Sequence, residues 1–190
     1  MRAKKLCHKK DIISADYSHN LGLIATGGRD HNIRLWDYEK MKFETEITAH
    51  YDEVTKVKFL KPFPLLFTAD SKGVMFIWLI PPHKEGRKCL VKWVNGNSME
   101  DDVPISAIDF YADLDKEEYY LLIGDEKGEA KIFEISRIIQ RYNLVPIDNS
   151  KDPKRNPHRC LPVEVHNLDR NYDGTDNIDL STEIALNKNK

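Results

Sequence analysis

Three observations predict an all-β chain built from repeated units. Short runs rich in β-branched and aromatic residues end on Trp, as in IRLW (Ile33 to Trp36), which alternates apolar with polar, and VMFIW (Val74 to Trp78), a strand pattern. A polar quartet rich in Gly and Asp precedes each run, which marks a tight hairpin turn. The arrangement then recurs: TGGRDHNIRLW, TADSKGVMFIW and IGDEKGEAKIF start at Thr26, Thr68 and Ile123. Each has a small residue second, a turn in the middle and an aromatic last.

The elements follow in order. In the first unit Ile24 to Gly28 is one strand and Asn32 to Asp37 the next. Upstream, ISADYS (Ile13 to Ser18), TKVKFL (Thr55 to Leu60) and SAIDFY (Ser106 to Tyr111) supply a strand before each hairpin. Tyr17 and Phe59 each lie nine residues before the threonine that opens the next strand, so the units share a register. After each Trp a further strand candidate follows, Met41 to Thr48 and Lys88 to Asn95. The spacing from Trp36 to Trp78 is 42 residues, and from Trp78 to Phe133 it is 55, stretched by polar insertions. Four short strands per unit of roughly 40 residues is the pattern of a β-propeller blade. The expected fold is therefore a partial propeller of three four-stranded blades, at about 7–48, 49–95 and 101–135.

Beyond Phe133 the pattern changes, and residues 136–190 read as a short helix and an irregular C-terminal segment. Ile135, Ile138, Ile139 and Tyr142 have helical spacing, and Pro146 closes that stretch. Ser150 to Arg159 is a Pro-rich basic connection, Leu161 to His166 a candidate outer strand of the third blade, and the last residues a polar tail. DRNYDGTDNIDL places Asp169, Asn171, Asp173 and Gly174 at positions 1, 3, 5 and 6 of a calcium loop, but position 12 is Leu180 and Glu183 comes too late. An EF-hand needs a bidentate Glu there, so an Asx-rich turn is the expectation.

The 29 basic and 31 acidic side chains nearly cancel, giving a net charge of -2. No global field points to nucleic acid or an acidic membrane surface. No apolar run approaches the ~20 residues of a bilayer span, and the basic N-terminus lacks the apolar stretch of a signal peptide. Cys7, Cys89 and Cys160 are scattered and odd in number, which points to a reducing, intracellular compartment, cytoplasm or cytoskeleton, and against a zinc or disulfide framework. No phosphate loop, GxSxG, HExxH or CxxC is present, so the expectation is no enzyme, no metal and no cofactor.

The first unit, with His8, Thr26, Asp30 and Trp36-Asp37, resembles a WD repeat. That resemblance implies a hydrogen-bonded set in which a turn carboxylate orients the imidazole, the imidazole meets the hydroxyl, and the hydroxyl meets the indole, satisfying buried polar groups in series. His50, Thr68 and Trp78 match in the second unit, with Lys72 standing where the Asp is expected. The third unit has Ile123, Lys127 and Phe133 and no upstream His, so no such set is expected there. The resemblance covers about residues 7–135 and implies a structural role for these residues.

Three blades leave two flanks without a neighbour, whereas propellers close with typically 4–8. The expected function is a non-catalytic protein-interaction scaffold, part of a larger propeller or assembly, with another chain or segment completing the ring. The insertions 81–87, 95–102 and 111–118 are candidate partner-contacting loops. IATGGRDHNIRLWD together with EISRIIQRYNLVPID is similar to large WD-repeat proteins of motile cilia, some with EF-hands. That likeness implies a structural component of the axoneme beside tubulin or other microtubule-associated proteins. The competing expectation is a module of an RNA-processing or other nucleic-acid-associated complex, gripping RNA through Lys151, Lys154, Arg155 and Arg159, with His158 beside them. The absence of interleaved aromatics to stack on bases argues against nucleic acid.

Overall fold

A computed structural model of the chain describes residues 7–81, 86–96 and 102–147. Eleven strands and one helix lie among them. β1 (Ile12–Ser18), β2 (Leu23–Gly28), β3 (Ile33–Asp37) and β4 (Lys42–Ile47) form one antiparallel sheet in chain order. β5 (Val54–Phe59), β6 (Leu65–Asp70), β7 (Val74–Leu79) and β8 (Lys88–Val94) form a second. β9 (Ile105–Asp113), β10 (Glu118–Asp125) and β11 (Ala130–Glu134) form a third, of three strands among the described residues. The residues named for its outer strand, 161–166, lie outside the described residues, as does the candidate calcium loop.

The three sheets repeat one register. Thr26 faces Arg34, Thr68 faces Phe76 and Ile123 faces Lys131 across the central hairpins. Even the irregularities recur: the inner strand slips by a residue at Ile12/Ser14, at Val54/Lys56 and opposite Gly124/Asp125. A bulge at an equivalent place in each sheet bends and twists it alike, so successive blades fan in the same sense. The turns use the residues their backbone demands. Gly73 sits at φ 75°, and a Cβ there would meet the Val103 carbonyl oxygen at 2.4 Å, so conformation and space both require glycine.

Apolar side chains from facing sheets make two cores. Leu23, Ala25, Ile33 and Leu35 of the first blade close on Val54, Val57, Phe59, Leu66 and Trp78 of the second. The opposite face of the second blade, Leu65, Phe67, Met75 and Ile77, packs against Ile105, Tyr119, Leu121, Ile123 and Phe133 of the third. Sandwiched on both sides, β6 is buried at every residue. Full burial of each large aliphatic side chain contributes about 1.5–3 kcal/mol, so the middle blade is the best stabilised of the three.

Where an outer strand would follow β11, the chain instead turns into α1 (Ser136–Arg141). Ile138 and Ile139 are buried, and the helix joins the core between the second and third blades. The chain then runs back across the turns that link first and second strands. The Ile147 N–H donates to the Pro62 carbonyl at 2.9 Å, and Asn20 Nδ2 donates to the Ile147 carbonyl at 2.6 Å. This strap ties all three blades together at one rim.

Candidate interaction surfaces and the polar sets beneath them

In the first blade His8 precedes β1 and reaches the hairpin of β2 and β3. Its Nδ1 lies 2.7 Å from Asp30 Oδ1 and its Nε2 2.8 Å from Thr26 Oγ1, while Trp36 Nε1 donates to Thr26 Oγ1 at 3.0 Å. A neutral imidazole with its proton on Nδ1 donates to the carboxylate and accepts from the hydroxyl, which in turn accepts from the indole, so every buried polar atom is paired. Burial pushes the Asp30 carboxyl up, but the hydrogen bonds from His8 and the Lys9 N–H outweigh it and leave the group below its usual value.

The second blade carries the same set with one member that the sequence reading missed. His50 Nδ1 lies 2.8 Å from Asp70 Oδ2, His50 Nε2 2.8 Å from Thr68 Oγ1, and Trp78 Nε1 donates to Thr68 Oγ1 at 2.9 Å. The Lys72 side chain takes no part and instead pairs with Asp102 across the blade joint. The missing carboxylate comes from the last residue of β6, two positions before the expected place. Blade one explains why two positions are interchangeable. Gly28 occupies the Asp70 position, and a Cβ on it would lie 2.9 Å from His8 Nδ1 and 3.2 Å from Asp30 Oδ1. One site next to the imidazole is thus filled either from the strand end or, when glycine leaves it open, from the turn.

Asp125 ends β10 at the same position, and the third blade has a polar set of different composition where none was expected. Asn95 Nδ2 donates to Asp125 Oδ2 at 3.1 Å and to the Val103 carbonyl at 3.0 Å, and Lys131 Nζ donates to Asn95 Oδ1 at 2.7 Å and to Asp125 Oδ2 at 3.1 Å. Burial raises the Asp125 carboxyl, but the Glu129 N–H, Asn95 and Lys131 together hold it down to about 2. An amide and an ammonium thus stand in for imidazole and indole. A recurring Asp two residues after Thr68 and after Ile123 was the signal in the sequence.

The joints between blades show what the free flanks lack. At the joint of blades one and two, the N–H groups of Val57 and Phe59 donate to Ser14 Oγ (3.1 Å) and Asp16 Oδ2 (2.8 Å), so side chains of one inner strand satisfy the free edge of the next. Lys58 pairs with Asp109 at 3.3 Å across the second joint. Leu122 and Ile132 of blade three take the register positions of Ala25 and Leu35, yet they are 38% and 60% exposed where Ala25 and Leu35 are fully buried. At the other end, Ile12 and Tyr17 take the positions of buried Val54 and Phe59 and are 46% and 52% exposed. Exposed apolar faces of this kind mark interaction sites.

The candidate loops fare unevenly. Tyr111 to Asp113 belong to β9 and Glu118 opens β10, so the third insertion reduces to a turn at 114–117. Parts of the other two, residues 82–85 and 97–101, lie outside the described residues, as do Lys151, Lys154, Arg155, His158 and Arg159. Of the second, Asn95 is buried in the third blade's polar set. A cleft of about 330 Å³ between blades one and two is lined by Glu44, Trp78, Ile80 and Arg87. Of the charged groups that line it, Arg87 and Glu44 already pair with each other. Among the described residues no cluster of three or more metal-ligating side chains occurs, and no helix is long and apolar enough to cross a membrane.

Two four-stranded sheets, each carrying a His, Asp, Thr and Trp set, and a third sheet in the same register are blades of a partial β-propeller, the fold of WD-repeat domains. Residues 2–37 match the family model of the WD domain, the G-beta repeat. The chain is 35% identical over 74 residues to Pre-mRNA-processing factor 19 homolog 2 of Arabidopsis thaliana, covering 39% of this chain and 14% of that protein. It is 34% identical over 61 residues to Polyadenylation factor subunit 2 of Gibberella zeae, covering 32% and 10%. Over 57 residues it is 37% identical to Nuclear distribution protein PAC1 of Yarrowia lipolytica, covering 30% and 13%. The chain thus spans 10–14% of the length of the curated relatives it matches. In fold it superposes on the C-terminal WD40 domain of Sif2 (TM-score 0.51, 14% identity, 70% of this chain and 34% of that one). The computationally designed Ika8 protein gives TM-score 0.52 at 21% identity, covering 68% and 35%.

Proposed function

We propose that this chain is a non-catalytic protein-interaction scaffold that acts as a segment of a larger propeller or assembly, its partner being a protein that carries further blades. The observation that supports this reading is the pair of open flanks, exposed at residues whose register equivalents are buried inside the chain's own joints. A structural place in the ciliary axoneme, beside tubulin or other microtubule-associated proteins, is supported by the sequence resemblance of residues 24–37 and 134–148 alone. A second reading, as a module of an RNA-processing complex, is favoured by the names of two relatives and by the basic run at 151–159. Both readings place the chain inside the cell.

Salt separates the two. An apolar blade joint survives rising ionic strength, whereas binding carried by phosphate contacts falls by about 10³–10⁵ between roughly 50 and 200 mM salt. The tagged chain isolated from native extract is expected to keep a blade-bearing protein partner through that range and after nuclease treatment. Partners lost with salt, or with nuclease, would replace the scaffold reading with the nucleic-acid one.

A further inference from the structure

We infer that the open edge of β11 is filled in cis, by residues 161–166 of this chain as the fourth strand of blade three, and that the basic run before them is held on that blade's acidic rim. This goes beyond the scaffold reading, which concerns the flanks and stands whether or not the edge is filled.

The two four-stranded blades set the terms. β3 and β7 each carry an outer strand, β4 and β8, whereas β11 pairs with β10 alone among the described residues. A free strand edge presents unpaired N–H and C=O groups and is a template for another strand. The two outer strands slip at the same place. Trp36 faces Phe43 and Leu35 faces Thr45, so Glu44 between them has no partner. Trp78 faces Cys89 and Ile77 faces Val91, so Leu90 has none. By that register a strand for β11 needs an apolar residue against Phe133, then one unpaired residue, then a β-branched residue against Ile132. Two positions on, where Ile47 and Trp93 stand in the other blades, it needs an apolar residue against Ala130.

LPVEV meets each requirement. Leu161 covers Phe133, as Phe43 packs edge-on against Trp36 at 5.4 Å. Pro162 takes the unpaired place, where its missing N–H costs no ladder bond. Val163 faces the exposed Ile132, and Val165 faces Ala130. Glu164 falls opposite Lys131 as Glu46 falls opposite Arg34, to which it bonds at 2.5 Å. The exposed Glu129 that Lys131 holds gives way to it.

Direction, length and charge agree. The strap ends at Ile147 on the rim of the 19–22 and 60–64 turns. Outer strands start from that rim. β4 opens with Lys42 opposite Asp37, beside Tyr38, whose N–H donates to the Gly22 carbonyl. β8 opens with Lys88 opposite Leu79, beside Ile80, whose N–H donates to the Pro64 carbonyl. The 13 residues 148–160 reach up to about 45 Å when extended. A folded body of roughly 130 residues has a radius of gyration of only about 14 Å. Where the fourth strand begins, blade three carries Asp113, Asp115, Glu117, Glu118 and Glu134 against one cation, Lys116. Residues 151–159 carry four Lys or Arg and one Asp. The strand thus delivers the basic run to an acidic rim, and the cations that an RNA contact would use are spent within the chain.

Two measurements on the full chain test this. In a background with Cys7, Cys89 and Cys160 changed to Ser, Ile132→Cys and Val163→Cys are bridged with a short bis-thiol reagent and mapped by mass spectrometry. Bridging within one chain is expected at a rate unchanged by dilution, since a tethered pair has a millimolar effective concentration. The control pair Ile132→Cys and Asp173→Cys is expected to bridge at least about tenfold more slowly. Amide exchange by NMR is expected to show β11 protected along both edges in the wild type. In Val163→Asp the outward amides are expected to exchange at least about tenfold faster, with β6 unchanged as the sign that the blades remain folded. The same variant frees the basic run, so it is expected to bind a single-stranded oligoribonucleotide severalfold more tightly than the wild type. Free exchange at the β11 edge of the wild type, or bridging no faster than the control, would overturn the inference. So would bridges formed only between chains, which would give the edge to a strand in trans, or equal and tight oligonucleotide binding by both proteins.

Discussion

Asp70 and Lys72 lie two residues apart at the end of the same hairpin, and they make opposite demands on stability. Asp70 is buried and accepts hydrogen bonds from His50 and from the N–H groups of Lys72 and Val74. Replacing it with Ala strands a buried imidazole and two amides, so Asp70→Ala is expected to cost about 2–4 kcal/mol in urea denaturation. Lys72→Ala removes an exposed ion pair and is expected to change stability by less than about 0.5 kcal/mol. Equal effects would put the carboxylate role back on the turn. Asp125 carries the pH dependence of the third blade. Its folded pKa of about 2 lies below the ordinary 3.8, so the unfolded chain binds its proton first as pH falls. The stability it contributes is full above the unfolded value and fades as pH drops toward about 2. Wild type is expected to lose stability between pH 5 and 2 (a window set by those two pKa values), and Asp125→Asn to lose less of it. The WD-type residues were legible because His, Thr and Trp stand out at fixed spacing. Asp70 and Asp125 were not, because a strand-end Asp looks like ordinary turn chemistry until the glycine at position 28 shows which space is being filled.

Strands were the most legible elements. Alternation sets their faces, and boundaries shifted by a residue or two: Leu23–Gly28 for the expected 24–28, and Ile33–Asp37 for 32–37. The helix followed from its spacing, and Ile138 and Ile139 are the residues it buries. Illegible from sequence was the return of the chain over the rim, since a strap held by two backbone groups of Ile147 leaves no periodicity. Ile147 is 4% exposed, so Ile147→Ala is expected to cost about 2–3 kcal/mol and to speed amide exchange in the 18–22 and 60–64 turns. Unchanged exchange there would remove the strap's role. Joint packing gives an asymmetric pair of its own. Gly27→Val drives a side chain into Val54 and Val57 and is expected to cost about 1–3 kcal/mol. Gly124→Val enters open space and is expected to leave the dilute single chain within about 0.5 kcal/mol of wild type. A cost as large at Gly124 as at Gly27 would mean that the third flank is already covered.

At the scale of the whole molecule, three blades share two cores and leave two further half-cores in water. Each blade repeats its neighbour's register, so each free flank has a worked example of its partner inside the same chain. That internal comparison turns exposed Leu122, Ile132, Ile12 and Tyr17 from surface residues into joint residues. The rim loops carry no such comparison, and sequence alone made them the natural candidates for contact. A photoreactive amino acid placed in turn at Leu122, Ile132 and Tyr17 on the flanks, and at the exposed rim residues Tyr51 and Leu114, distinguishes the two surfaces directly. After irradiation in native extract, protein adducts are expected from the three flank positions and none from the rim. Adducts from Tyr51 or Leu114 alone, or adducts to RNA in place of protein, would contradict the account of the flanks as the working surfaces of this chain.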